Sequence, residues 1–297
     1  PDKGLITLKS TAKELPSLLS LIPCSVISAK PISTSLEKIM YSYLNEDALK
    51  TSVQHLLLRQ RPVFLNDHGN DLSKWADSTL DSLILAISEL NNSYFCIQGP
   101  PGTGKTYSGA RAINALVQQG KKIGVASNSH KAVNNMLEAI IEDMNAGDIE
   151  GMVGKVHNNN DDLLYENPRI ILKKSPKDMT LNEVVVVGGT AWTFSNDSFI
   201  DQLDYLFIDE AGQVSLANMI GMSASCKNII LIGDQMQLAN PSQGMHPENS
   251  GDSCLDYLLQ DSPTISIDKG VLLPDTYRMH SKICDFISSR IYENRIT

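Results

Sequence analysis

Residues 99–106 read Gly99-Pro100-Pro101-Gly102-Thr103-Gly104-Lys105-Thr106, a spacing of glycines, lysine and hydroxyl suited to wrapping a polyphosphate. Glycines let successive backbone N–H groups turn toward phosphate oxygens, Lys105 carries a charge that reaches the β and γ oxygens, and Thr106 offers a hydroxyl to Mg²⁺. A helix opening at this point adds the positive end of its dipole. An apolar run at 94–97 leads into the loop and a helical pattern leaves it, which favours a phosphate loop over a glycine-rich turn.

Two further stretches end apolar runs in chemistry. Tyr205-Leu206-Phe207-Ile208-Asp209-Glu210-Ala211 brings two carboxylates to a strand end. Asp209 is expected to share Mg²⁺ with Thr106, and Glu210 to polarise an attacking water, so the pair implies hydrolysis. Ile229-Ile230-Leu231-Ile232-Gly233-Asp234-Gln235-Met236-Gln237-Leu238 ends in a neutral amide, Gln237, able to sense a γ-phosphate.

Such residues must be held at one edge by a scaffold. Short β-branched runs at 94–97, 122–126, 183–187, 205–209 and 228–233 alternate with helical patterns. That alternation predicts an α/β domain with a parallel sheet and helices on both faces. Four consecutive valines, 184–187, suit a strand buried on both sides. Ile113, Leu116 and Val117 share a helical face ending at Gly120, and Val133, Met136, Leu137, Ile140, Ile141 and Met144 repeat near the helical period over 131–144. A last helical pattern covers 283–292, and polar stretches at 158–162 and 240–252 read as loops.

Residues 1–75 differ in texture, with Pro16, Pro23, Pro31 and Pro62 and a helix expected over 47–59 bearing Leu49, Val53, Leu56 and Leu57. The expected division is a helical or mixed N-terminal segment, 1–75, packing on a nucleotide domain, 76–297.

Composition narrows the class. With 297 residues and 42% hydrophobic content the chain can bury a large core. Its five cysteines, Cys24, Cys96, Cys226, Cys254 and Cys284, show no paired or metal-ligand spacing, which fits a reducing, intracellular setting. No apolar run is long enough to span a bilayer, so no membrane partner is expected. A net charge of −9 argues against a broad nucleic-acid footprint, though not against a narrow groove of amides, hydroxyls and a few lysines. The chain starts without methionine and stops soon after a helical pattern, so a fragment of something longer is expected.

The order Gly-Pro-Pro-Gly-Thr-Gly-Lys-Thr, Asp-Glu-Ala-Gly-Gln, Gly-Asp-x-x-Gln-Leu and Tyr-Arg-Met-His resembles superfamily 1 helicases across residues 94–293. The similarity is to the group of the nonsense-mediated mRNA decay helicase and the eukaryotic replication nuclease-helicase, with a flavour of bacterial fusions in which the helicase follows a RecB-like nuclease. The resemblance implies a first RecA-like domain of an ATP-dependent motor, with ATP and Mg²⁺ as cofactors and single-stranded DNA or RNA as partner. It implies that Tyr277 stacks on adenine and that Arg278 meets the γ-phosphate. It also implies single-strand contacts at Ser127, Asn128, Ser129, Lys131, Thr190 and Trp192.

Two departures stand out. Residues 78–85 contain no glutamine of the kind the family uses to read adenine, and Gln235-Met236 replaces the usual Pro-Gln. The family's second RecA-like domain is not in this chain, and any nuclease domain would lie upstream in the parent protein. Slow hydrolysis and no unwinding are therefore expected of the isolated piece. A phosphate-loop kinase and a nucleotide-switched scaffold share the loop, but Glu210, Gln237 and Arg278 serve hydrolysis better than transfer to an alcohol.

Overall fold

The structure, a computed structural model, describes residues 28–46, 49–66, 78–157, 166–237 and 248–297. Its centre is one eight-stranded sheet: β1 Tyr94–Gln98, β2 Ile123–Ala126, β3 Val153–Val156, β4 Ile170–Lys173, β5 Val186–Gly189, β6 Leu203–Ile208, β7 Cys226–Gly233 and β8 Gly270–Leu272. The strand order is β4-β3-β5-β2-β6-β7-β1-β8, and every pairing is parallel. All eight carboxyl ends therefore face one side, where doubly wound sheets place ligands.

Helices cover both faces, as the alternating pattern predicts. One face carries α3 (Leu80–Ser88), α4 (Lys105–Gln118) and α5 (His130–Ala146). The apolar stripe of α5, from Val133 to Met144, is buried as its period requires. Ser129 starts that helix by accepting a hydrogen bond from the Ala132 N–H on its side-chain oxygen. Asn114 of α4 donates to the Ile140 carbonyl at 3.0 Å and to the Asp143 carboxylate at 2.8 Å, which locks α4 to α5. Gly120, just past α4, has φ of 74°, a backbone that side-chain-bearing residues rarely adopt.

The opposite face carries α1 (Lys30–Glu46), α2 (Thr51–Leu57), α6 (Ala191–Phe194), α7 (Leu216–Ser223), α8 (Cys254–Leu259) and α9 (Ser281–Ile291). Ile32, Val53 and Leu56 belong to the same hydrophobic cluster as β6 and β7. Ser35 of α1 donates to the Gly221 carbonyl at 2.7 Å, closing α1 on α7.

Several expectations need correction. The strand expected at 183–187 is Val186–Gly189, because the registers with β2 and β3 both start at Val186 and run to Gly189 and Gly188 respectively. Val184 is buried in the core just before it. The helix expected over 47–59 is Thr51–Leu57; Lys50 is extended ahead of it and Arg59 takes φ of 51° behind it. β3, β4, β8 and α1 were not anticipated. The loop at 158–162, most of that at 240–252, and residues 1–27 and 67–77 fall outside the described residues.

The outer strand β8 sits on β1 without room to spare. A methyl group at Gly270 would lie 2.0 Å from the Cys96 carbonyl oxygen. Gly270→Ala is expected to push β8 away from β1, at a cost of about 1–3 kcal/mol in denaturant unfolding. Because β8 leads into Thr276–Arg278, nucleotide affinity should fall as well; a variant with the parent's stability and affinity would contradict this packing.

Candidate nucleotide site

The phosphate loop grows out of β1 and is pinned on both sides. Gly99 N–H donates to the Gly233 carbonyl at the end of β7, at 2.9 Å. Inside the loop the Thr103 hydroxyl donates to the Pro100 carbonyl at 2.8 Å, and Lys105 Nζ donates to the Gly99 carbonyl at 2.7 Å. On the other side, Thr276 Oγ1 donates to the Pro101 carbonyl at 3.1 Å and Tyr277 N–H to the Gly102 carbonyl at 3.0 Å. Gly102 has φ of 85°, and a side chain there would begin 2.5 Å from Arg278 Cβ. Only glycine permits both that backbone and that approach.

This docking gathers the expected groups. A cleft of about 710 Å³ is lined by Gly102, Gly104, Lys105, Thr106, Glu210, Gln237, Tyr277 and Arg278, with Tyr107 and Asn135. Next to it a hollow of about 510 Å³ lies between Ser78, Thr79, Tyr107, Leu273, Asp275 and Tyr277. Tyr277 borders both and is 83% exposed, so its ring is free to meet a flat ligand. The second hollow presents hydroxyls and a carboxylate, and, as the sequence indicates, no amide from 78–85.

Asp209 directly follows β6 and is 6% exposed, next to Glu210 but not itself among the residues that line the cleft. Burial pushes its carboxyl up to about 6, the Glu210 carboxylate adds to this, and the Glu210 N–H and Lys105 oppose it. That N–H donates to Asp209 Oδ1 at 2.9 Å. Glu210 itself turns with φ of 52°, which carries its side chain to the cleft wall. An Asp209 carboxylate with one N–H partner and a loop hydroxyl at Thr106 are hard oxygen donors, which suit Mg²⁺, an ion that takes one or two carboxylates together with phosphate oxygens.

Sequence reasoning missed the polar support under this edge. Asp234 is buried, and burial raises its pKa although Tyr292 Oη donates to its Oδ2 at 2.7 Å and the Met236 N–H to its Oδ1 at 3.3 Å. Gln98, at the end of β1, donates to the Gln235 side-chain oxygen at 2.8 Å and to the Pro263 carbonyl at 2.9 Å, and accepts from the Ile265 N–H at 2.6 Å. Asn135 was also missed; it lies between the buried Asn134 and Met136 of α5, and only the fold shows that it faces the cleft.

The residues expected on single strands lie elsewhere along the same edge. Ser127, Asn128, Ser129 and Lys131 follow β2, and Thr190 follows β5. Ser127 is buried and its hydroxyl has no partner among the described residues. Ser129 caps α5. Trp192 is half-buried against the core, and its indole N–H donates to the Ser28 carbonyl at 2.8 Å. Leu238 falls outside the described residues.

Residues 82–248 match the family model described as AAA domain. The chain belongs to that family. Around this AAA domain the sequence is 29% identical over 255 residues to the DNA replication ATP-dependent helicase/nuclease of Gallus gallus, covering 80% of this chain and 25% of that protein. It is 30% identical over 237 residues to the corresponding protein of Saccharomyces cerevisiae, covering 75% and 15%. With the RecBCD enzyme subunit RecD of Buchnera aphidicola it shares 24% identity over 262 residues, covering 77% and 40%. The resemblance to superfamily 1 helicases of the replication nuclease-helicase group is thus borne out, while the chain spans a quarter or less of the two nuclease-helicases. Among the described residues no helix is long and apolar enough to cross a membrane.

The raised Asp209 pKa has a signed consequence. In the folded chain Asp209 holds its proton up to about pH 6, whereas unfolded it releases it near pH 4, so the folded state binds more protons between those values. Its contribution is full below pH 4 and is lost as pH rises through 6, by roughly 3 kcal/mol at most. Asp209→Asn should remove this downward slope from urea unfolding of the nucleotide-free chain between pH 4 and 7; an identical slope in the variant would place the titration elsewhere.

Proposed function

We propose that residues 76–297 form the first RecA-like motor domain of an ATP-driven helicase acting on single-stranded DNA or RNA, with 1–75 as an attached helical or mixed segment. The observation that carries this reading is the convergence of Lys105, Thr106, Glu210, Gln237 and Arg278, from four separate strand ends, on one cleft. Lys105 and the loop N–H groups hold the β and γ phosphates, and Tyr277 stacks on the base. Glu210 orients and deprotonates the attacking water, Gln237 contacts the γ-phosphate, and Arg278 balances charge that grows there during transfer. Thr106 and Asp209 would hold Mg²⁺, which neutralises phosphate charge when bound. Arginine suits its position because its planar fork stays charged and binds two oxygens at once.

The partner surface is the carboxyl edge at Ser127, Asn128, Ser129, Lys131 and Thr190, where hydroxyls, amides and N–H groups follow a backbone without reading bases. Trp192 belongs to the same stretch, though its indole N–H is engaged with Ser28. A second RecA-like domain and a nuclease domain are proposed for the parent protein, in an intracellular, cytoplasmic or nuclear, reducing setting. The buried free thiols of Cys96, Cys226, Cys254 and Cys284 are consistent with that setting.

The test is turnover. The chain should release phosphate from ATP slowly, faster with single-stranded oligonucleotide than without. Glu210→Gln should lower kcat by about 100-fold or more while nucleotide still binds. Unchanged kcat in that variant, or phosphate passed to a small alcohol in place of water, would defeat the hydrolytic reading.

A further inference from the structure

The carboxyl edge continues beyond the residues assigned above to the single strand, and strand register determines what it presents. Ala126 of β2 pairs with Gly189 of β5, Lys155 of β3 with Gly188 of β5, and Val156 of β3 with Lys173 of β4. Ala126, Gly189, Val156 and Lys173 therefore form one row across four strands. The next residue on each strand, Ser127, Thr190, His157 and Lys174, emerges in a second row at the rim. The His157 N–H donates to the Lys173 carbonyl at 3.0 Å and keeps the two outer strands in step. With strands about 4.8 Å apart, four of them span roughly 14 Å.

The chemistry along this rim runs from neutral to cationic. Ser127 is 3% exposed, with a hydroxyl unpartnered among the described residues. At the far end Lys173 is half-buried and Lys174 exposed, and neither forms an ion pair among the described residues. Three lysines, Lys38, Lys50 and Lys227, are paired with Asp197, Asp201 and Asp204, whereas Lys173 and Lys174 stand side by side without a carboxylate among the described residues. Two adjacent lysines without an ion pair among the described residues, in a chain of net charge −9, form a local positive spot at the end of the rim.

We propose that β3 and β4 lengthen the nucleic-acid path, with Lys173 and Lys174 holding backbone phosphates of the strand that crosses Ser127 and Thr190. This inference rests on the single-strand reading above and extends it by two strands of the sheet. The ligand is defined by its phosphodiester backbone, common to DNA and RNA. Lys177 is a built-in control: it carries the same charge three residues later, on a turn at Pro176–Asp178 that packs against the turn at Asp197–Phe199 and lies off the row.

The experiment measures binding of the 297-residue chain to oligothymidylate and oligouridylate of matched length by fluorescence anisotropy across a salt series. The Lys173→Glu, Lys174→Glu double variant should bind about tenfold more weakly at low salt and lose about one to two from the slope of log K against log salt. Lys174→Gln, which removes one exposed charge with little risk to folding, should lose about one. Lys177→Glu should bind like the parent. Equal losses on both oligonucleotides support a phosphate contact; a loss on one alone, where the parent binds both, overturns it. Parent-like affinity and slope in both Lys174 variants, or an equal loss in Lys177→Glu, overturns the extension alone. If the parent chain holds neither oligonucleotide, the extension and the single-strand reading fail together.

Discussion

The parallel registration of β7, β1 and β8 is the constraint on which the rest of the molecule depends. Phe95 opposite Ile230 and Ile97 opposite Val271 bring the ends of these strands level, and two backbone bonds carry the alignment past the sheet, Gly99 to Gly233 and Leu273 to Gln98, both 2.9 Å. The loop after β1, the amide after β7 and the arginine after β8 can then meet. Antiparallel pairing of any one strand would send its chemistry to the opposite edge.

Polar groups at that edge are buried at a cost, and the structure answers it unevenly. Gln98 and Asp234 are met by side chains and backbone from distant segments, so they act as fasteners for 263–265 and for Tyr292 at the end of α9. Asp209 is less well met: one N–H and the nearby Lys105 do not offset burial beside Glu210. Gln98 and Asp234 are thus tied to distant segments, while Asp209, next to the cleft-lining Glu210, keeps one N–H. This is how a site remains ready for a charged ligand while its frame stays rigid.

The central strands were legible because long apolar runs leave few other places to go. β6 and β7 are buried almost throughout. The outer strands were not legible. β3 reads Val153-Gly154-Lys155-Val156, and its lysine is fully buried with Nζ donating to Asn134, a contact with no local signature. β8 has three residues, too few for a period. The valine run put the start of β5 three residues early, since pairing registers and not hydrophobicity alone determine where a strand begins. In α1, Pro31 and a mixed composition hid a helix whose reason for forming is its packing on α7.

In the candidate site, Tyr277 and Arg278 came only from the resemblance to a family, whereas residue type and close spacing were readable from the chain for the loop from Gly99 to Thr106, the Asp209-Glu210 pair and Gln237. These are local facts, since a phosphate cradle needs glycine and lysine within one turn of backbone. The sequence could not decide that Arg278 lies against Gly102, that Tyr292 reaches Asp234 across 58 positions, or that Asn135 faces the cleft. Those depend on strand register and helix packing, interactions between segments far apart in the chain, and only a folded core makes them specific.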